Sequence, residues 1–147
     1  MANLVKWGAY PSITSYLTTE LNALADDGRV LGGEIDNTSG LNTYIDISGF
    51  INTQGSARSA DADVVIYFIT AVDGTNYSLG DASVVPPLSA WVGSVALDAA
   101  TTARYFNLTL IPCPACKFKI LIEQRTGQAF NATGSTLGYT VYNKEIQ

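Results

Sequence analysis

Residues 41–52 read "LNTYIDISGFIN". Apolar and polar side chains alternate along this stretch. Ile45, Ile47 and Ile51 fall on one side, and Tyr44, Asp46 and Ser48 on the other. Successive side chains of a strand point to opposite faces, so the pattern predicts a half-buried β-strand. The next apolar segment, "DVVIYFITAV" at 63–72, does not alternate. Apolar on both faces, it predicts a central strand covered on both sides. The intervening "TQGSARSADA" reads as a polar loop.

Working outward, every segment after residue 28 is of the same kind. "RVLGGEIDN" (29–37) is a strand whose paired glycines predict a bulge or a close backbone approach. "DGTNYSLGDASVVPP" (73–87) is a long connection of turn residues, followed by a strand over "LSAWVGSVAL" (88–97). "ARYFNLTLI" (103–111) is expected to point Phe106, Leu108 and Leu110 inward. "KFKILIEQ" (117–124) does the same with Phe118, Ile120 and Ile122, and "TLGYTVYNKE" (136–145) with Leu137, Tyr139 and Val141. Seven or eight strands separated by turns exclude a parallel βαβ layout. They predict an all-β chain, an antiparallel sandwich of jelly-roll type.

The first 28 residues read differently. Residues 1–11 form an arm bearing Leu4, Val5, Trp7 and Tyr10. In "SITSYLTTELNALADDG" (12–28), Ile13, Leu17, Leu21 and Leu24 recur at helical spacing, which predicts one short helix ended by Asp26-Asp27-Gly28. The expected organisation is arm and helix over 1–28, and sandwich over 29–147. An aromatic arm without a core of its own packs on something, either its own sandwich or a neighbour. Of the two, a neighbour is the reading taken, with Leu4, Val5, Trp7, Tyr10, Leu17, Leu21 and Leu24 as the expected oligomer or capsid contacts.

Composition narrows the function. The chain has 147 residues, 47% hydrophobic and only 14% charged, enough apolar material for a single-domain core. Net charge is −5 and the isoelectric point about 4.4. The eight basic residues never cluster beyond a pair, which argues against nucleic acid as a partner. An acidic chain also suits an anionic membrane surface poorly. No signal-peptide pattern opens the sequence, so synthesis in a reducing cytosol is expected.

Candidate chemistry is sparse. Both cysteines lie in "PCPACK" (112–117), between two strands. A redox C-x-x-C needs a following helix to lower a thiol pKa. Zinc needs more ligands than one chain without histidine provides. A proline-fixed turn with free thiols is the expected reading, and no cofactor or metal is expected. The absence of histidine also removes the commonest general base. Paired carboxylates (Glu34 with Asp36, or Asp46) remain the one catalytic option, and same-face carboxylates are more often a solvated surface. Asp73 and Asp81 lie in a loop that lacks EF-hand spacing. Trp91, Tyr77 and Tyr105 are candidate sugar-stacking rings. Core edges and interface contacts are the commoner role for such aromatics.

Several stretches resemble a family of small tailed-phage virion proteins: "LTTELNALADDGRVLGGEIDN" (17–37), "VVIYFITAVDGTNY" (64–77), "PPLSAWVGSVAL" (86–97), "IPCPACKFKILIEQRTGQAF" (111–130) and "STLGYTVYN" (135–143). Members include jelly-roll cement or decoration proteins that sit on capsids. The resemblance implies a virion component with no catalytic residues to transfer. It implies a capsid-surface location, the major capsid protein as partner, and a homo-oligomer, dimer or trimer. A carbohydrate-binding module on tail or capsid is the alternative.

Overall fold

In a computed structural model, residues 5–7 and 9–146 are described. They form eleven strands and one short 3-10 turn. The strands are β1 (Val5–Trp7), β2 (Thr14–Leu17), β3 (Arg29–Leu31), β4 (Ile35–Asp36), β5 (Tyr44–Ile51) and β6 (Asp63–Ala71), then β7 (Trp91–Ala96), β8 (Arg104–Pro112), β9 (Lys117–Arg125), β10 (Thr136–Tyr142) and β11 (Lys144–Ile146). The 3-10 turn, Leu88–Ala90, precedes β7.

The pairing is that of one long hairpin rolled up. β6 and β7 form its tip. Moving away from the tip, β5 pairs β8, β3 and β4 pair β9, β2 pairs β10, and β1 pairs β11, all antiparallel. Rolling brings β10 beside β5 and β9 beside β6. Two main sheets result, ordered β2-β10-β5-β8 and β3-β9-β6-β7, with β4 also on β9, and β1 and β11 form a separate two-stranded sheet. This is the eight-strand, double Greek-key order of a jelly roll. The expected all-β sandwich is therefore the fold.

The core lies between the sheets. Ile45, Ile47, Ile51, Phe118, Ile120, Ile122 and Leu137 are fully or almost fully buried there, as the alternation predicts. Burying each such side chain contributes roughly 1.5–3 kcal/mol. β6 is covered on both faces. Its outer side chains Val65, Tyr67 and Ile69 join Leu121 in a second cluster, roofed by Leu31, Tyr77 and Ala90.

The expected helix over 12–28 does not form. Residues 14–17 are an edge strand instead, and residues 20–23 a turn. Two local causes are visible. The Glu20 carboxylate accepts the Thr18 and Thr19 amides at 2.8 and 3.0 Å, which reverses the chain. Ala23 then takes a left-handed φ of 53°. Tertiary bonds complete the override of helical spacing: the Ala23 amide donates to Asn131 O, and Leu24 O accepts from Phe130. Nor does residue 28 separate two units, because β2 belongs to the sandwich through β10. The arm is tied down in part, since the backbone of residues 5–7 pairs with residues 144–146.

Three bulges set which side chains leave the core. In β2, Leu137 faces Leu17 while Gly138 faces Ser15, so Tyr16 is the extra residue. Its ring crosses to the other sheet and fills the space where a side chain at Gly32 would sit. Gly32 thus serves a close approach, as expected of the pair, while a Cβ at Gly33 would meet nothing within 4 Å. The Tyr16 hydroxyl donates to Gly33 O and accepts from the Ile120 amide at 3.0 Å. In β8, Thr109 and Leu110 together oppose Asp46. The shift turns Leu110 out to solvent with φ of 60°, and Ile111 packs on the core in its place. This corrects the expected inward Leu110. In β7, Val92 is the extra residue opposite Ile66 and Tyr67.

Candidate functional surfaces

The outer side of the four-stranded sheet is aromatic, with Tyr105 exposed, Tyr44 and Phe50 half-buried and Tyr142 buried. Antiparallel sheets commonly alternate apolar inward and polar outward. Here the outer positions carry Tyr44, Phe50, Tyr105 and Tyr142. Phe50 and Tyr105 sit opposite each other on β5 and β8, with ring centroids 4.6 Å apart. Tyr142 lies between Tyr44 and Tyr10, at 5.9 and 5.6 Å. Ile13 packs over Gly138, where a Cβ would meet it at 2.6 Å. Tyr105 is 78% exposed, Tyr10 61% and Ile13 56%.

Asp46 organises this face. Its Oδ1 accepts from Tyr142 Oη at 2.8 Å and from the bulged Leu110 amide at 2.7 Å. Its Oδ2 accepts from Tyr10 Oη at 3.0 Å. The Tyr142 phenol is pushed up to about 12, first by burial and then by Asp46. The Tyr10 phenol is raised for the same reasons. Both rings therefore stay neutral, and the Asp46 carboxylate is an anchor for three donors. A shallow hollow of about 190 Å³ lies between Ile13, Ser15, Ser48, Phe50, Tyr105 and Thr136.

The opposite sheet bears a second feature. The Val92 bulge places Trp91 opposite Tyr67, on the same outer side as Ser94 opposite Val65. Trp91 is half-exposed and borders a groove of about 300 Å³ with Pro86, Leu88, Asp63, Ser94 and Arg125. Beneath it Glu123, almost fully buried, accepts from Tyr67 Oη, Arg29 and Arg125, all at 2.9 Å. Burial pulls the Glu123 carboxyl up, but these donors outweigh it and leave a net lowering. Asp63 is shifted the other way, raised chiefly by desolvation.

The remaining candidates hold the fold together. Leu17 and Leu21 are core residues and Leu24 packs against that core, so these side chains are spent within the chain. Of the expected contact residues, Tyr10 lies on the aromatic face. Leu4 and the side chains of Val5 and Trp7 lie outside the described residues. Cys113 and Cys116 are unbonded at the β8–β9 turn. Burial, then the neighbouring Cys116, pushes the Cys113 thiol up to about 11. Buried Asn37 fixes this turn, donating to Pro114 O at 2.8 Å and to Cys113 Sγ at 3.3 Å.

Glu34 accepts from Tyr77 and Lys117, and its carboxyl is lowered. Asp36 accepts from Thr38 and is lowered too. Neither has the raised pKa of a general acid. Tyr77 is engaged through that bond and through Lys119 over its ring at 4.3 Å. Asp73 and Asp81 close their own turns by accepting nearby amides. Among the described residues no group of three or more His, Cys, Asp or Glu is placed to hold a metal. No described helix is long and apolar enough to cross a membrane.

No protein-family model matches the chain, and no curated protein matches it. Among solved structures it is similar to a carbohydrate-binding module from Cellvibrio mixtus lichenase 5A in complex with cellotriose. Identity is 14% and the TM-score 0.37, over 91% of this chain and 99% of the module. It is also similar to Xylanase10C from Cellvibrio japonicus in complex with xylopentaose (15%, TM-score 0.44), covering 99% of this chain but 27% of the xylanase. A third is a structure of infectious bursal disease virus (17%, TM-score 0.37), over 97% of this chain and 31% of the viral chain. The fold assignment rests on the strand order itself.

Proposed function

We propose that this protein is a structural component of a tailed-phage virion: a cement protein that binds the outer surface of the major capsid protein lattice. The solvent face of the four-stranded sheet is its docking surface. The observation that supports this is the set of exposed rings and aliphatic side chains there, led by Tyr105 at 78% exposure. Tyr and Trp anchors dominate protein interfaces because they bury much area at little entropic cost. Tyr10, Ile13 and Tyr105 stay more than half exposed in the folded chain. The low charge of the sequence favours the same reading.

The mechanism is mass action. A protein that binds only the assembled shell stabilises it. Repetition on a symmetric lattice, aided by self-association into a dimer or trimer, multiplies modest contacts. No catalytic role is assigned. The test uses capsids stripped of the protein, incubated with wild type or with the Ile13→Ser, Tyr105→Ala double variant. Co-sedimentation measures occupancy, and heating measures DNA release. Wild type should saturate the shell and raise the release temperature, and the variant should do neither. Full occupancy by the variant would overturn the proposed face. The carbohydrate-binding alternative draws on a different place, the Trp91 groove of the other sheet.

A further inference from the structure

Without its bulge, β7 would turn Trp91 toward the core. The extra residue at Val92 instead sets the ring outward, half-exposed, beside Leu88 and Pro86. Bulges commonly re-aim a side chain where a strand meets a ligand. The groove continues along β6 to Asp63, which pairs with Arg125 across β9. The step from Tyr67, opposite Trp91, to Asp63 is four residues, or ~13 Å of strand.

The polar groups at the far end are available. Among the described residues Asp63 accepts no hydrogen bond. Arg125 uses only Nη2 within the protein, on Glu123 at 2.9 Å and Tyr67 at 3.3 Å. Its Nε and Nη1 hydrogens and the Ser94 hydroxyl remain. A free carboxylate beside a guanidinium disfavours an anion and a cation alike. It suits a neutral ligand whose groups both donate and accept. A flat aromatic wall suits a ligand with an apolar face. A pyranose meets both demands, with C–H bonds on one face and hydroxyls around the rim.

We infer that this groove binds a short neutral glycan, one pyranose stacked on Trp91 and the hydroxyls of the units that follow along β6 bonded by Ser94, Asp63 and Arg125. The site lies on the sheet opposite the proposed docking face, so it stands independently of that reading and stays open when that face is covered. The experiment is an array of neutral gluco-, xylo-, galacto- and manno-oligosaccharides, followed by calorimetric titration of the tightest binder. Trp91→Ala and Asp63→Ala should each weaken binding at least about tenfold, with unchanged circular dichroism. Tyr105→Ala should bind the sugar as wild type does. No binding to any oligosaccharide at millimolar concentration would overturn the inference. So would undiminished binding by both groove variants, or a groove that takes only peptide along the open β7 edge.

Discussion

Replacing Tyr16 by Phe removes one oxygen and nothing else. That oxygen satisfies the Ile120 amide, left without a strand partner where β3 and β4 break at Gly32-Gly33. Ile120 is fully buried, so water cannot readily replace the lost acceptor. Gly33 O, the other partner, sits at an exposed residue and can rehydrate. One orphaned buried donor costs roughly 1–3 kcal/mol. For a domain of this size each kcal/mol lowers Tm by about 2–4 °C. The expected loss is therefore ~2 kcal/mol and ~4–8 °C, read by urea and thermal unfolding followed by circular dichroism. The Ile120 amide should also exchange with deuterium faster than in wild type. A Tyr16→Phe protein within ~0.3 kcal/mol of wild type would refute the view that the bulged tyrosine bridges the two sheets.

Other outcomes follow from the same structure. The Arg58 side chain is wholly buried and donates to Gln54 Oε1, Asp98 O, Asp98 Oδ1 and Thr102 O, at 2.8–2.9 Å. Arg58→Met should cost ~1–3 kcal/mol in urea unfolding, because it strands the buried Gln54 carbonyl while exposed Asp98 and Thr102 rehydrate. Arg104 first, and then Arg58, hold the Asp98 carboxyl at about 2. A carboxyl lowered on folding stabilises above its unfolded pKa of about 3.9 and loses that effect as pH falls toward 2. Asp98→Asn should accordingly flatten the fall of stability between about pH 4 and pH 2. With its thiol near 11, Cys113 should react with iodoacetamide at pH 8 about a hundredfold more slowly than a peptide cysteine, and at the ordinary rate once unfolded.

Most of the fold was legible in the sequence because inner positions of β5, β9 and β10 keep strict period two. The helix expected over 12–28 came from Leu17, Leu21 and Leu24, whose spacing fits a helix and also fits a strand followed by a turn. The β-branched residues Ile13, Thr14, Thr18 and Thr19 favour the second. Each bulge breaks the period by one residue and depends on the partner strand. That is why Leu110 was expected inside, and why nothing local marked how Trp91 is presented. The candidate docking face was legible only at Tyr10 and, as a possible stacking ring, at Tyr105. It joins Tyr10, Ile13, Tyr44, Phe50, Tyr105 and Tyr142, from strands and segments far apart in the chain. Only the rolled pairing brings them together.

A reconstruction of the virion at residue resolution tests the central claim most directly. The cement reading predicts density for this jelly roll on the outside of the shell, with Ile13, Phe50 and Tyr105 against the major capsid protein and Trp91 facing solvent. Density in the tail, or a capsid-bound molecule with the four-stranded sheet facing away from the shell, would contradict it.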